Sequence, residues 1–337
     1  MRFGVFLLAG RFPGQDDRDA LRRASDAVVW AEQAGFDDVW IAEHHFMSYG
    51  VCPSAITFAA HALGRTSRIT VGTAVSVLST THPVLLAEQV TMLDQMSGGR
   101  LHLGVGRGGP WRDLEVFGTG LDRWENGFAE SLDLLLDCLS SPVVEGTGRF
   151  AFRAVPMVPR PVSAPRVTVA CTSRGTVQLA AARGLPMLLG MDLDDAGKAA
   201  MIKAYAGAGG GPAAHIGVVL AHVADTRSQA VAELRAAMPR WLRPGLAGYV
   251  TVDDRPRRPH DPVEYTDKLI AISPVGSPAD CVERLRRSVV GHVVLMVDGC
   301  GDPVVTRRTI ERFGELTALV AEDHEQQPQP DQEADHQ

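Results

Sequence analysis

The sequence predicts a single (β/α)8 barrel, the TIM-barrel architecture, with insertions after the fourth and seventh βα units. Three observations carry that expectation. Eight short apolar runs alternate with stretches of helical periodicity, composition does not break along the alternation, and 337 residues suit one large barrel. A doubly wound sheet would more often show six strands and a compositional break.

The elements follow in order. Phe3, Val5 and Leu7 define a first strand that breaks at Gly10, Pro13 and Gly14. Leu21, Ala24, Val28 and Ala31 recur at helical spacing between Asp19 and Gln33, and Gly35 stops that helix. Asp38 to Ile41 is the second strand, followed by a helix from about Ser54, a strand from Ile69 to Ser76, a helix after Pro83 and a strand from Leu101 to Val105. Phe128, Leu132, Leu135 and Leu139 mark an amphipathic helix from Trp124 to Leu139, whereas Ser140 to Pro165 is Pro/Gly-rich and aperiodic, the first insertion. Strands are expected at Val167 to Cys171, Pro186 to Leu189, His215 to Val223 and His292 to Val297, with capping boxes at Thr226 to Gln229 and Ser277 to Asp280. A second aperiodic stretch, Arg243 to Ile272, interrupts the seventh unit, and its part from Arg255 to Pro262 reads as a mobile lid. The barrel domain is expected over residues 1–322. Residues 323–337, acidic and nearly free of apolar side chains, are expected to be a disordered tail.

Composition excludes several classes. With 45% hydrophobic and 22% charged residues the chain is of ordinary globular type, neither fibrous nor membrane-spanning. A net charge of −7 lacks the basic footprint of a nucleic-acid binder. Cys52, Cys138, Cys171, Cys281 and Cys300 are odd in number, widely spread and without a C-x-x-C, so no disulfide framework or zinc knuckle is expected and a reduced, cytoplasmic compartment fits. The apolar start, Met1 to Gly10, runs into Arg11, Asp16 and Asp17 with no cleavage site, and reads as a strand instead of a signal peptide.

In a barrel, chemistry sits at the C-terminal ends of the strands. After strand two come Glu43, His44 and His45. Successive strand residues point to opposite faces, which disfavours a shared metal ion; a histidine with a carboxylate beside it is a general acid/base candidate, or else a rim histidine bonded to backbone. Gly104-Val105-Gly106-Arg107-Gly108-Gly109 satisfies G-x-G-x-x-G, but Pro110 and Trp111 follow where a dinucleotide site needs a helix. What survives is a glycine-rich loop that presents Arg107, whose planar fork suits a phosphate monoester. Thr172, Ser173 and Thr176 lie between strand five and its helix, where free backbone N–H groups and hydroxyls make a second phosphate candidate, or an ordinary N-cap.

These residues resemble a known family, the bacterial-luciferase-like flavin-dependent monooxygenases. The resemblance is carried by Met1-Arg-Phe-Gly-Val-Phe-Leu-Leu, Gly35-Phe-Asp-Asp-Val-Trp-Ile-Ala-Glu-His-His-Phe, Gly72-Thr-Ala-Val-Ser-Val-Leu, Leu93-Asp-Gln-Met-Ser-Gly-Gly-Arg-Leu and Ser273-Pro-Val-Gly-Ser-Pro, and runs to about residue 320. It implies the same barrel, FMN supplied as FMNH2 by a separate flavin reductase, O2 as cosubstrate, a C4a-hydroperoxyflavin as oxygenating species, a small hydrophobic substrate of the secondary-metabolite or antibiotic-biosynthesis kind, and a homodimer paired through the helices after strands two and three. Residue by residue, it implies that Arg107 and the Thr172-Ser173 turn, with Thr176, hold the FMN phosphate. Ala74-Val75, as a non-proline cis peptide, would lie along the isoalloxazine with Glu43, and His44 would be the catalytic acid/base. Gly106 stands where luciferase's catalytic subunit has a cysteine, so the pocket beside the flavin is expected to be roomier. The turn Ala170-Cys171-Thr172-Ser173 is closer to luciferase's non-catalytic subunit, which however lacks the Arg107-Gly108 pair. Two alternatives accompany this reading: a deazaflavin (F420)-dependent hydride-transfer oxidoreductase, and a non-catalytic flavin-binding protein.

Overall fold

Strands that are apolar on both faces must be covered on both, and this chain does so by closing its sheet on itself. The computed structural model describes residues 1–162, 164–252 and 261–326. Eight parallel strands form the barrel: β1 (Arg2–Leu7), β2 (Asp38–Ile41), β3 (Thr70–Thr73), β4 (Leu101–Gly106), β5 (Arg166–Cys171), β6 (Met187–Leu189), β7 (Ile216–Leu220) and β8 (His292–Met296). Each pairs with its successor, and β1 pairs with β8 in the register Arg2↔His292 to Phe6↔Met296, which closes the ring.

Alternation along the strands sorts the core into two layers. Phe3, Val5, Leu7, Val39, Ile41 and Val71 pack outward on the helices, while Phe6, Trp40, Leu188, Val218, Val294 and Met296 fill the interior. Trp40 fits because Gly72 has no side chain: a Cβ there would stand 2.5 Å from the indole. At the barrel's N-terminal end Asp38 is braced by Trp40 Nε1 (2.7 Å), His292 Nε2 (3.0 Å) and the Arg2 guanidinium (3.1 Å), and His102 Nε2 meets Thr168 Oγ1 at 2.7 Å. This face also holds a cavity of about 650 Å3, lined by Arg2, His102, Arg166, His215 and His292.

The insertions carry more structure than their composition predicts. Val143–Gly146 and Phe152–Pro156 form an antiparallel hairpin. The helix expected from Trp124 breaks at Gly127 into Gly120–Asn126 and Phe128–Ser140. Between Arg243 and Ile272, the helix Arg227–Ala247 continues through Pro239 and Pro244, and Pro262–Ile272 is helical behind an Asp261 cap. The expected lid falls mostly on residues 253–260, outside the described residues. The capping box forms at Ser277 with both halves present; at Thr226 only the cap bond forms, because the Gln229 side-chain amide turns instead to Glu233 Oε1 at 2.9 Å. The last helix, Pro303–Gln326, extends four residues past the expected domain end, and residues 327–337 lie outside the described residues. All five cysteines are free thiols, and among the described residues no helix is long and apolar enough to cross a membrane.

Candidate active site

A cavity of about 410 Å3 opens at the C-terminal ends of the strands and brings together Glu43, His44, Ala74, Val75, Gly106, Arg107, Thr172 and Thr176. Of the residues singled out in the sequence, only Ser173 does not line it.

The loop after β2 is fixed by Glu43. Its carboxylate accepts the Ala55 N–H at Oε2 (3.0 Å) and the Val77 N–H at Oε1 (3.1 Å), tying the start of the helix Ala55–Arg65 to the segment beyond β3. Both oxygens are occupied, which makes Glu43 a brace for the cavity wall. Phe46 then takes φ +59, a left-handed conformation uncommon for a bulky residue, where the loop turns after the histidine pair. His44 holds its backbone N–H on the Cys52 carbonyl (2.9 Å) and its ring edge against Tyr49, with centroids 5.0 Å apart. Tyr49 in turn stacks on Trp241 at 5.0 Å. The buried Nδ1 of His44 has no partner, and burial together with the neighbouring His45 pushes its pKa down to about 4. His44 is therefore a neutral imidazole at working pH, able to accept a proton. His45 Nε2 lies 3.7 Å from Glu43 Oε1.

Ala74 and Val75 are joined by a cis peptide bond, as the resemblance implies, and the Ala74 N–H donates to the Ile41 carbonyl at 2.7 Å. Gly106 lines the cavity beside Val75, whose Cγ2 stands 2.6 Å from where a Cβ at 106 would be.

Arg107 lies on the loop after β4, where its carbonyl accepts the Ser79 hydroxyl at 2.6 Å. Its guanidinium lies 4.0 Å over the Trp124 ring, whose Nε1 donates to the Gly108 carbonyl at 3.0 Å. Burial lowers the Arg107 pKa while the charge of Glu125 works the other way, and the buried Nε has no hydrogen-bond partner. A guanidinium stacked on an indole at a cavity wall can receive an anion. Across the cavity, the helix Arg174–Ala182 begins with a full capping box between Ser173 and Thr176. This corrects the expectation of free amides at the turn, because Thr176 Oγ1 accepts the N–H groups of both Thr172 (3.3 Å) and Ser173 (3.2 Å). The donors left over are the first helical N–H groups, Arg174 and Gly175, and no Cβ at Gly175 obstructs them.

Aromatic and apolar residues the sequence reading did not assign to the site complete the wall: Tyr49, Trp111, Met191 and Tyr249. They come from four separate loops. Trp111, directly behind the glycine run, was the one with a usable signal.

A (β/α)8 barrel with an arginine, a helix start and a desolvated histidine around one cavity at its C-terminal face has the layout of a barrel enzyme. Comparison with known proteins narrows that class. The family model described as luciferase-like monooxygenase matches residues 1–294, and the chain belongs to that family. The alkanal monooxygenase alpha chain of the Kryptophanaron alfredi symbiont is 34% identical over 61% of this chain, a match spanning 58% of the relative's own length. The 4-hydroxyprotoasukamycin monooxygenase of Streptomyces nodosus subsp. asukaensis is 30% identical, covering 94% of this chain and 91% of the relative. Among solved structures, monooxygenase RslO1 from Streptomyces bottropensis superposes with a TM-score of 0.80 at 24% identity over 95% of this chain and 99% of that one. An F420-dependent secondary alcohol dehydrogenase superposes at 0.72 with 17% identity, over 95% and 98%. These last two likenesses concern the fold.

Proposed function

We propose that the protein is an FMN-dependent monooxygenase that takes FMNH2 from a separate flavin reductase and uses O2 to oxygenate a small hydrophobic molecule. The observation that carries this reading is Arg107, stacked on Trp124 and lining the same cavity as Thr172 and Thr176 at the start of the helix Arg174–Ala182. The Arg107 guanidinium and the first N–H groups of that helix would hold a phosphate monoester. Thr172 and Thr176 would shape that end of the pocket, and Ala74, Val75 and Gly106 would form its flat floor. Bound there, reduced flavin supplies the electrons that activate O2.

The chain's own residues do the rest. Glu43 holds the floor to the helix Ala55–Arg65 and so positions His44. His44, neutral and desolvated, would accept or return a proton from the cavity wall. Phe6, Leu8, Trp111 and Met191 exclude water and offer an apolar wall, so the substrate is hydrophobic and of secondary-metabolite size, in keeping with the asukamycin-type relative. A second copy of the chain is proposed to pack on Leu85, Met92 and Met96, which expose one side of the helix Pro83–Ser97 after β3.

The test uses decanal or an aromatic quinol as probe with chemically reduced FMN and isotopically labelled O2. Label in the product supports the reading. Turnover without O2 when reduced deazaflavin is supplied would replace it with hydride transfer, and no turnover with either flavin would leave a binding protein.

A further inference from the structure

Away from the cavity, three side chains on three elements converge on a single nitrogen. His222 lies in a short strand after β7, Glu233 on the helix Arg227–Ala247 and Cys300 on the loop after β8. His222 Nε2 is 2.6 Å from Glu233 Oε2 and 3.9 Å from Cys300 Sγ, and one ligand atom from each residue lies within 4.8 Å of the other two. A histidine relay uses its two ring nitrogens separately, one for the carboxylate and one for the nucleophile. Here the thiol and the carboxylate face the same nitrogen, which is how ligands surround a point. Zinc bonds of about 2.0–2.3 Å at a tetrahedral angle separate ligand atoms by about 3.4–3.6 Å, so the Cys300 sulfur stands near its place and the His222–Glu233 hydrogen bond would open by somewhat under 1 Å to admit the ion.

We propose that His222, Glu233 and Cys300 bind one zinc-class divalent cation, with water in the fourth position, as a structural clip joining the ends of β7 and β8 to the helix between them. The surroundings favour it. Gln229 Nε2 holds the other oxygen of Glu233 at 2.9 Å, an outer contact that fixes the carboxylate. Asp302 on the Cys300 loop adds negative charge, and Arg308, which donates to Glu233 Oε2 at 3.2 Å, is the contact the ion would displace. Access exists, since Cys300 lines a surface cavity of about 230 Å3 and is alone among the five cysteines in not being buried. Binding forms a metal–sulfur bond, breaks the Cys300 S–H bond and releases that proton to solvent, with no change of oxidation state. Positions 222, 233 and 300 follow no ligand spacing, and the sequence accordingly predicts no metal.

The experiment takes the full, untagged chain stripped by a chelator and titrates it with Zn2+ and Co2+. One equivalent is expected to bind, with a thiolate-to-cobalt charge-transfer band, a raised thermal midpoint with zinc, and protection of Cys300 from alkylation. Cys300→Ser is expected to abolish the band, and Glu233→Gln to weaken affinity about 10-fold or more. The alkylation and cobalt readouts need only the unmutated protein, so they stand if a variant fails to fold. A cobalt complex lacking the thiolate band, unprotected Cys300, or affinity unchanged in both variants would overturn the site.

Discussion

Arg107 and His44 divide the work of the cavity, and each has its own signature. Removing a charge-assisted hydrogen bond costs on the order of 1.5–3 kcal/mol, so Arg107→Ala is expected to weaken FMNH2 binding about 10–100-fold. Reduced riboflavin, which has no phosphate, is expected to bind both forms alike; equal losses for the two flavins would make the arginine structural. His44→Ala is expected to keep flavin affinity and slow turnover by roughly 10²–10⁴-fold, the usual contribution of a positioned acid or base. Single-turnover kinetics with bound flavin measure this, and an unchanged rate would take His44 out of the chemistry. Glu43, by contrast, acts through geometry. These roles were only partly legible in the sequence. A polar residue just after a strand announces itself by position, as Arg107 and His44 do. That Glu43 has both oxygens on backbone N–H groups depends on Ala55 and Val77, which no local pattern connects to it.

Among the elements, β4 concentrates the close approaches. A Cβ on Gly104 would stand 1.9 Å from the Thr73 carbonyl oxygen, a backbone atom that cannot give way, whereas a Cβ on Gly106 would meet only the Val75 methyl at 2.6 Å. Gly104→Ala is therefore expected to prevent the barrel from closing and to yield insoluble protein. Gly106→Ala is expected to fold with a loss of about 1–3 kcal/mol, visible in urea unfolding, and to bind FMN more weakly as Val75 is displaced into the cavity. Equal solubility of the two variants would refute the distinction. The same contrast between backbone and side chain explains what the sequence revealed. All eight barrel strands were legible because burial on both faces demands unbroken apolar runs. The hairpin Val143–Gly146/Phe152–Pro156 was not, because most of its side chains face solvent and leave no periodic record. The last turn of the helix Arg227–Ala247 fell inside the stretch from Arg243 that was expected to be aperiodic, although packing of Trp241 and Leu242 keeps the chain helical through Pro239 and Pro244.

The molecule as a whole buries neutral histidines at both ends of the barrel. Burial holds His44 at about 4 and His102 at about 3, below the ordinary 6.5. A histidine whose folded pKa is depressed binds its proton first in the unfolded chain, so its contribution to stability is complete above about pH 6.5 and declines as pH falls toward the folded values. The thermal midpoint is expected to be flat from pH 7 to 8 and to drop progressively from pH 6.5 to 4, less steeply in His102→Asn; a midpoint independent of pH over that range would contradict the assignment. The closure of the ring between β1 and β8 has a consequence for how the chain is made. The seam joins Arg2 to His292, so the first strand to leave a ribosome waits for the last before its edge is covered. At about 5–20 residues per second that interval is on the order of 15–60 s, during which an apolar strand offers an unpaired edge to any neighbouring chain. Nascent-chain occupancy by holdase chaperones should then persist until β8 emerges, and a shortened transcript ending before residue 292 would leave a sheet that has no way to close.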